Sequence, residues 1–217
     1  MYDEYGNLII PHNYGRIHFS KVEITQILIS VAALTVAFTI VLMGGVFGDI
    51  GAYTTLDWIF AIGVSAVVSV TGFLLHELAH KFVAQHYGAW AEFRMYPTGL
   101  LFAVIFAFLG FLFAAPGAVY IQGRINRKQN GLISIAGPTT NIVFGTVFIA
   151  LWLLFQNMGI WSFAFNLIGV LSLFLAGFNL IPLGPLDGRK VFQWNPVVWA
   201  VAVIATAIPL LIGWGFI

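Results

Sequence analysis

The sequence contains no cysteine, which excludes disulfides and thiolate metal sites outright. Charge is almost as scarce. Asp, Glu, Lys and Arg make up 8% of the 217 residues, against about 25% in an ordinary soluble domain. So few charges cannot cover a water-facing surface. The formal net charge is +1, and no basic cluster marks a nucleic-acid partner. Internal repeats and low-complexity linkers are missing too. The polar stretch Met1 to Lys21 lacks the basic-then-apolar order of a cleaved signal peptide.

Apolar residues fill the space the charges leave, at 60% of the chain. Several runs reach the roughly 20 helical residues needed to cross a bilayer core about 30 Å thick. They lie at about Ile24 to Phe47, Trp58 to Ala84, Gly131 to Phe155, Ser162 to Ile181 and Pro196 to Ile217. A shorter, Gly-interrupted run covers Thr98 to Ala115 and stops at Pro116. The pattern predicts an all-α polytopic membrane protein of about five to six transmembrane helices. A polar N-terminal segment (1–22) precedes a membrane-embedded domain (23–217).

Basic residues mark the cytoplasmic side of a membrane protein. Lys81, Arg94, Arg124, Arg127, Lys128, Arg189 and Lys190 fall in or beside connections that share one side, whereas the loop holding Asp49 and Asp57 is acidic. A full crossing by Thr98 to Ala115 would put Arg124, Arg127 and Lys128 outside. A re-entrant segment keeps them inside, and such segments are tolerated where protein or a wet cavity surrounds them. The sequence therefore predicts re-entry, with a sixth span as the alternative.

The second run carries His76-Glu-Leu-Ala-His80. Four residues apart on a helix, both imidazoles share one face. That spacing lets two neutral nitrogens hold one Zn²⁺ at about 2.0–2.1 Å. Glu77, offset round the helix, would take a proton from a water that the metal makes ionisable near pH 7. Chance alone yields HExxH in roughly one chain of this length in a hundred. Here it lies in an apolar spanning run, where ionisable groups are costly and functional by default.

A catalytic zinc wants a third protein ligand and one open position. Asp187, in Asn179-Leu-Ile-Pro-Leu-Gly-Pro-Leu-Asp187-Gly188, is the best candidate. The same turn also reads as a plain helix-ending loop. Topology favours the ligand. His76, Asp187 and the Gly137-Pro-Thr-Thr-Asn141 segment all lie toward the cytoplasmic ends of their runs if the third run folds back. His86, six residues beyond His80, points to another face and reads as interfacial. His12 and His18 read as solvated, and Trp152, Trp161, Trp194 and Trp199 as interfacial anchors.

HExxH in a spanning helix, Gly-Pro-x-x-Asn at Gly137 to Asn141, and Asn-x-x-Pro-x-x-x-x-Asp-Gly at Asn179 to Gly188 together resemble the site-2 protease family of intramembrane metalloproteases (peptidase M50). The three motifs in this order are far more specific than HExxH alone, and the resemblance covers about His76 to Lys190. It implies one Zn²⁺ per chain on His76, His80 and Asp187, with Glu77 as general base. It implies that Asn141 orients substrate or stabilises the oxyanion, and that Asn179 supports the substrate backbone or caps its helix. It implies a transmembrane helix of a membrane protein as substrate, in a catalytic core of about 58–190. It also implies a re-entrant β-hairpin after the HExxH helix. Trp90 to Thr98 and Ala114 to Gln122 fit the two arms, and Gly99 to Phe113 is a longer insert than a hairpin needs. The chain has no room for a PDZ domain between the catalytic helices, and a C-terminal CBS domain is not expected.

Other classes fit less well. A prenyl-protein protease would need a later Glu, and no Glu follows Glu92. A transporter with a structural metal site would be expected to show inverted repeats. A catalytically inactive scaffold would not need the complete His76, Glu77, His80 and Asp187 set.

Overall fold

The computed structural model describes residues 17–112 and 114–216. The polar segment over 1–16, with His12, and Phe113 of the insert lie outside the described residues. Of the remaining expected solvated histidines, His18 has an exposed side chain.

Capping residues set the starts of the helices. Ser20 accepts from the Glu23 N–H and begins α1 (Lys21–Leu42). A Thr54–Asp57 capping box begins α2 (Thr55–Val68). A π-helical turn, Ser69–Leu74, joins α2 to α3 (Leu75–His86), so that Thr55–His86 forms one rod. Then follow β1 (Trp90–Met95), α4 (Pro97–Phe108) and β2 (Gly117–Gln122). An Asn126–Gln129 box begins α5 (Arg127–Leu154), and α6 (Ile160–Asn179), α7 (Asp187–Trp194) and α8 (Pro196–Gly213) complete the chain.

Among the described residues, five helices are long and apolar enough to cross a membrane: Lys21–Phe47, Thr55–His86, Arg127–Leu154, Ile160–Asn179 and Pro196–Gly213. The protein is a polytopic, all-helical membrane protein with one two-stranded sheet. Large apolar side chains such as Val143, Val147, Phe163, Val197 and Val201 face outward, as a lipid solvent requires. Inside, Leu34, Phe38, Val68, Phe73, Phe93 and Ile168 join α1, α2, the π turn, β1 and α6 in one cluster. α5 runs through the centre and packs on α3, α6, α7 and α8.

The short apolar run does not cross. α4 has 12 residues, about 18 Å of helix, well short of the hydrocarbon thickness. Its flanks are tied together, because β1 and β2 pair antiparallel from Trp90 opposite Gln122 to Met95 opposite Gly117. The chain thus returns to the place it left. The two expected arms are present, trimmed to six residues each. The insert between them is helical, and Pro97 at its first turn starts it.

Lys81, expected in or beside a connection, is internal, and so is Glu23. Lys81 and Glu23 are both fully buried, and Lys81 Nζ lies 2.6 and 2.5 Å from the two Glu23 carboxylate oxygens. Lys81 also donates to the His18 carbonyl at 2.6 Å and sits 3.9 Å from the Phe19 ring centroid. Glu23 in turn accepts from the Phe93 N–H at 2.9 Å. The pair pins α1, α3 and β1 to one another. Two tryptophans expected at the interface also have protein partners: Trp199 Nε1 donates to the Leu180 carbonyl at 2.7 Å, and the Trp194 ring covers Gly131.

Glu23→Gln or Lys81→Met alone should cost about 3–5 kcal/mol, because each strands a buried charge. The paired Glu23→Leu/Lys81→Met change should cost less than the two singles together. Denaturant titration of the detergent-solubilised protein checks this.

Candidate metal centre

His76 and His80 project from α3 one turn apart, with their Nε2 atoms 3.0 Å from each other. Asp187, in the first turn of α7, brings Oδ2 to 3.3 Å from His76 Nε2 and 3.0 Å from His80 Nε2. These three donor atoms form a nearly equilateral triangle. Four ligands at zinc distance around a tetrahedron are about 3.3 Å apart, so the triangle has the size of one tetrahedral face. Both histidines are buried, and the Asp187 side chain is 12% exposed.

The remaining ring contacts suit this role. His80 Nδ1 lies 2.7 Å from the Ile133 carbonyl. It must donate there, which leaves the Nε2 lone pair free for a metal. Pro138, in the same helix, lacks the N–H that would have bonded the Ser134 carbonyl, next to Ile133. One residue earlier, Gly137 lets α5 pass directly against the site, and a Cβ there would overlap the Nε2 atoms of His76 and His80.

Asp187 arrives by a similar device. α6 ends at Asn179, and Pro182 and Pro185 prevent it from continuing. Gly188 then presses on the Leu180 and Ile181 carbonyls, where no side chain would fit, and turns α7 back toward α3. Burial disfavours the Asp187 charge. When the adjacent His80 and His76 rings are protonated they outweigh this and hold the carboxyl well below the usual carboxylate range. Lys190 Nζ lies 3.5 Å from the second oxygen, Oδ1.

A cavity of about 340 Å³ opens over the triangle. Leu34, Phe38, Phe73, Leu175 and Phe178 form its apolar wall, and His76, Glu77, His80 and Asp187 its polar end. Glu77 also reaches the sheet, where the Val119 N–H donates to its Oε2 at 3.0 Å.

The other expected site residues sit differently. Asn179 lines the cavity and donates to the Leu175 carbonyl at 3.1 Å. Asn141 is fully buried and is not among the lining residues. Its Nδ2 donates to the Gly72 carbonyl in the π turn at 3.1 Å. His86 is exposed beside Tyr87. Sequence reasoning missed Ile133, Lys190 and the Val119 N–H. The position of Gly137, one turn before Asn141 on the same helix face, could have signalled its closeness to the site.

Known proteins are similar to this chain in sequence. The chain is 40% identical over 192 residues to "Putative zinc metalloprotease MJ0611" of Methanocaldococcus jannaschii, covering 84% of this chain and 90% of that protein. It is 30% identical over 121 residues to "Zinc metalloprotease MJ0392" of the same organism, covering 55% of this chain and 30% of that longer protein. It is 29% identical over 150 residues to "Putative zinc metalloprotease YwhC" of Bacillus subtilis, covering 58% of this chain and 66% of that protein. The chain belongs to this family of zinc metalloproteases. No family model and no solved structure matches it.

Gly137→Ala should push a methyl into both imidazoles and weaken zinc binding by about tenfold or more, the scale seen when ligand orientation is disturbed. The helices should keep their ellipticity. Asp187→Ala should lose more zinc still. Metal content by mass spectrometry after dialysis checks both.

Proposed function

We propose that the chain is an intramembrane zinc endopeptidase of the site-2 protease type, hydrolysing peptide bonds within or near transmembrane segments of membrane proteins. The observation that carries this reading is the His76–His80–Asp187 triangle, with Glu77 beside it, inside a five-span bundle. Zinc held by these three residues, one ion per chain, would polarise a carbonyl and make a water molecule ionisable at neutral pH.

The protein's own groups supply the rest. Glu77 acts as general base toward the attacking water and then passes the proton to the leaving nitrogen. The apolar wall accepts side chains of a membrane-borne substrate and keeps bulk water from the cut. A helical substrate must unwind first, since its peptide bonds are shielded by their own hydrogen bonds. The unwound stretch pairs with the sheet as an added strand. Asn179, at the cavity wall, contacts that stretch. Asn141 acts from behind, as a positioning residue that holds the π turn through the Gly72 carbonyl. The catalytic core is 58–190 within the membrane domain 23–217. Arg124, Arg127, Lys128, Arg189 and Lys190 set its polar end toward the cytoplasm.

Glu77→Gln should retain zinc and lose cleavage by about 10²–10⁴-fold, the usual share of a positioned base. Zinc-loaded protein and a single-span membrane reporter, read on a gel, test it. Unimpaired turnover would remove Glu77 from the reaction.

A further inference from the structure

The sheet has two outer edges, and only one is open to a partner strand. In an antiparallel pair, alternate residues turn their N–H and C=O groups away from the partner. On β1 the outward residues are Ala91, Phe93 and Met95, opposite Ile121, Val119 and Gly117. Four of their outward groups are already taken by side chains. Gln85 Nε2 donates to the Ala91 carbonyl at 3.2 Å, and Arg94 donates to the Phe93 carbonyl at 3.0 Å. The Phe93 N–H donates to Glu23 at 2.9 Å, and the Met95 N–H donates to Gln26 at 3.1 Å. Three elements thus close the β1 edge.

The β2 edge is different. Gly117, Val119 and Ile121 line the cavity. The Val119 N–H, which a strand laid along this edge would take, is bonded to the Glu77 carboxylate. One donor therefore faces two acceptors, the base of the reaction and the main chain of an arriving substrate.

We infer that the Val119 N–H is a handover point: it holds the Glu77 carboxylate in the free enzyme and passes to a substrate carbonyl when a strand adds to β2, releasing Glu77 toward the attacking water. The inference rests on the reading of Glu77 as base. Its content is separate. It fixes Val119 as the register mark for the bound segment and makes the free base reachable only after that segment pairs. A carbonyl of an unwound substrate is a neutral acceptor and replaces a charged one, so the exchange requires the carboxylate to gain the water as its new partner.

The test deletes this one donor. Val119→Pro removes the N–H, and because that N–H points away from β1 the β1–β2 ladder keeps its bonds, as edge prolines allow. The variant, wild type and Glu77→Gln are compared as full-length, zinc-loaded protein in detergent, with fluorescein-labelled β-casein as an unfolded probe. Handover predicts that Val119→Pro raises KM about tenfold, the loss of one main-chain hydrogen bond, and leaves kcat within about twofold. Ile121→Pro, on the same edge but without a contact to Glu77, should raise KM likewise. If the Val119 N–H merely orients Glu77 throughout the cycle, kcat falls and KM stays, which overturns the handover. Unchanged kinetics overturn it as well. Cleavage by Glu77→Gln at the wild-type rate would overturn the base itself, a distinct failure. Zinc content and the thermal transition report whether Val119→Pro folds. If it does not, α-hydroxyvaline at position 119 deletes the same N–H without a ring, and the same kinetic split decides.

Discussion

Lipid offers no hydrogen bonds, so a strand set among apolar helices must find partners for its outer main-chain groups within the protein. β1 meets that demand with side chains from α1, α3 and its own Arg94. The demand explains why a carboxylate lies buried at position 23. Glu23 serves as an acceptor for the Phe93 N–H, and Lys81 compensates its charge. Because Lys81 follows His80 directly in α3, satisfying the strand also fixes the distance between the sheet and the metal-binding face. Edge closure and site geometry are two results of the same contacts.

The centre itself is assembled from interruptions of helices. A π turn precedes His76, Pro138 removes the N–H that would have bonded the Ser134 carbonyl within α5, and the Pro182–Pro185 turn reverses the chain into α7. Asn141 takes the carbonyl of Gly72, and His80 takes that of Ile133.

Much of this was legible in the residues, because composition and period are strong signals in lipid. The spans follow from apolar runs, and His76 with His80 from their spacing. Asp187 follows from counting crossings, which required only that the third run turn back. Other features left no such trace. Glu23 and Lys81 lie 58 positions apart, and each alone reads as a charge flanking a span. Asn141 carries a side chain suited to catalysis, yet its partner is a main-chain carbonyl that exists only in the fold. The insert between the strands is longer than a hairpin needs and carried no signal of its own conformation; Pro97 at its first turn starts it as a helix. The Val119 N–H has no sequence signature, since every residue but proline owns one.

The π turn also bears on how such a site can change over time. Six residues, Ser69–Leu74, occupy a wider coil than their neighbours. This is the mark left when one residue is added to an α-helix without breaking it. Removing that residue would let the other five close into an ordinary α-helical turn, with the length of the rod nearly unchanged. Because the wide turn absorbs the added residue, such a deletion would leave the heading of α3 and of both imidazoles nearly unchanged. The turn is therefore a local device: it widens the coil just ahead of His76, where Asn141 meets the Gly72 carbonyl, without changing where the rest of the rod points.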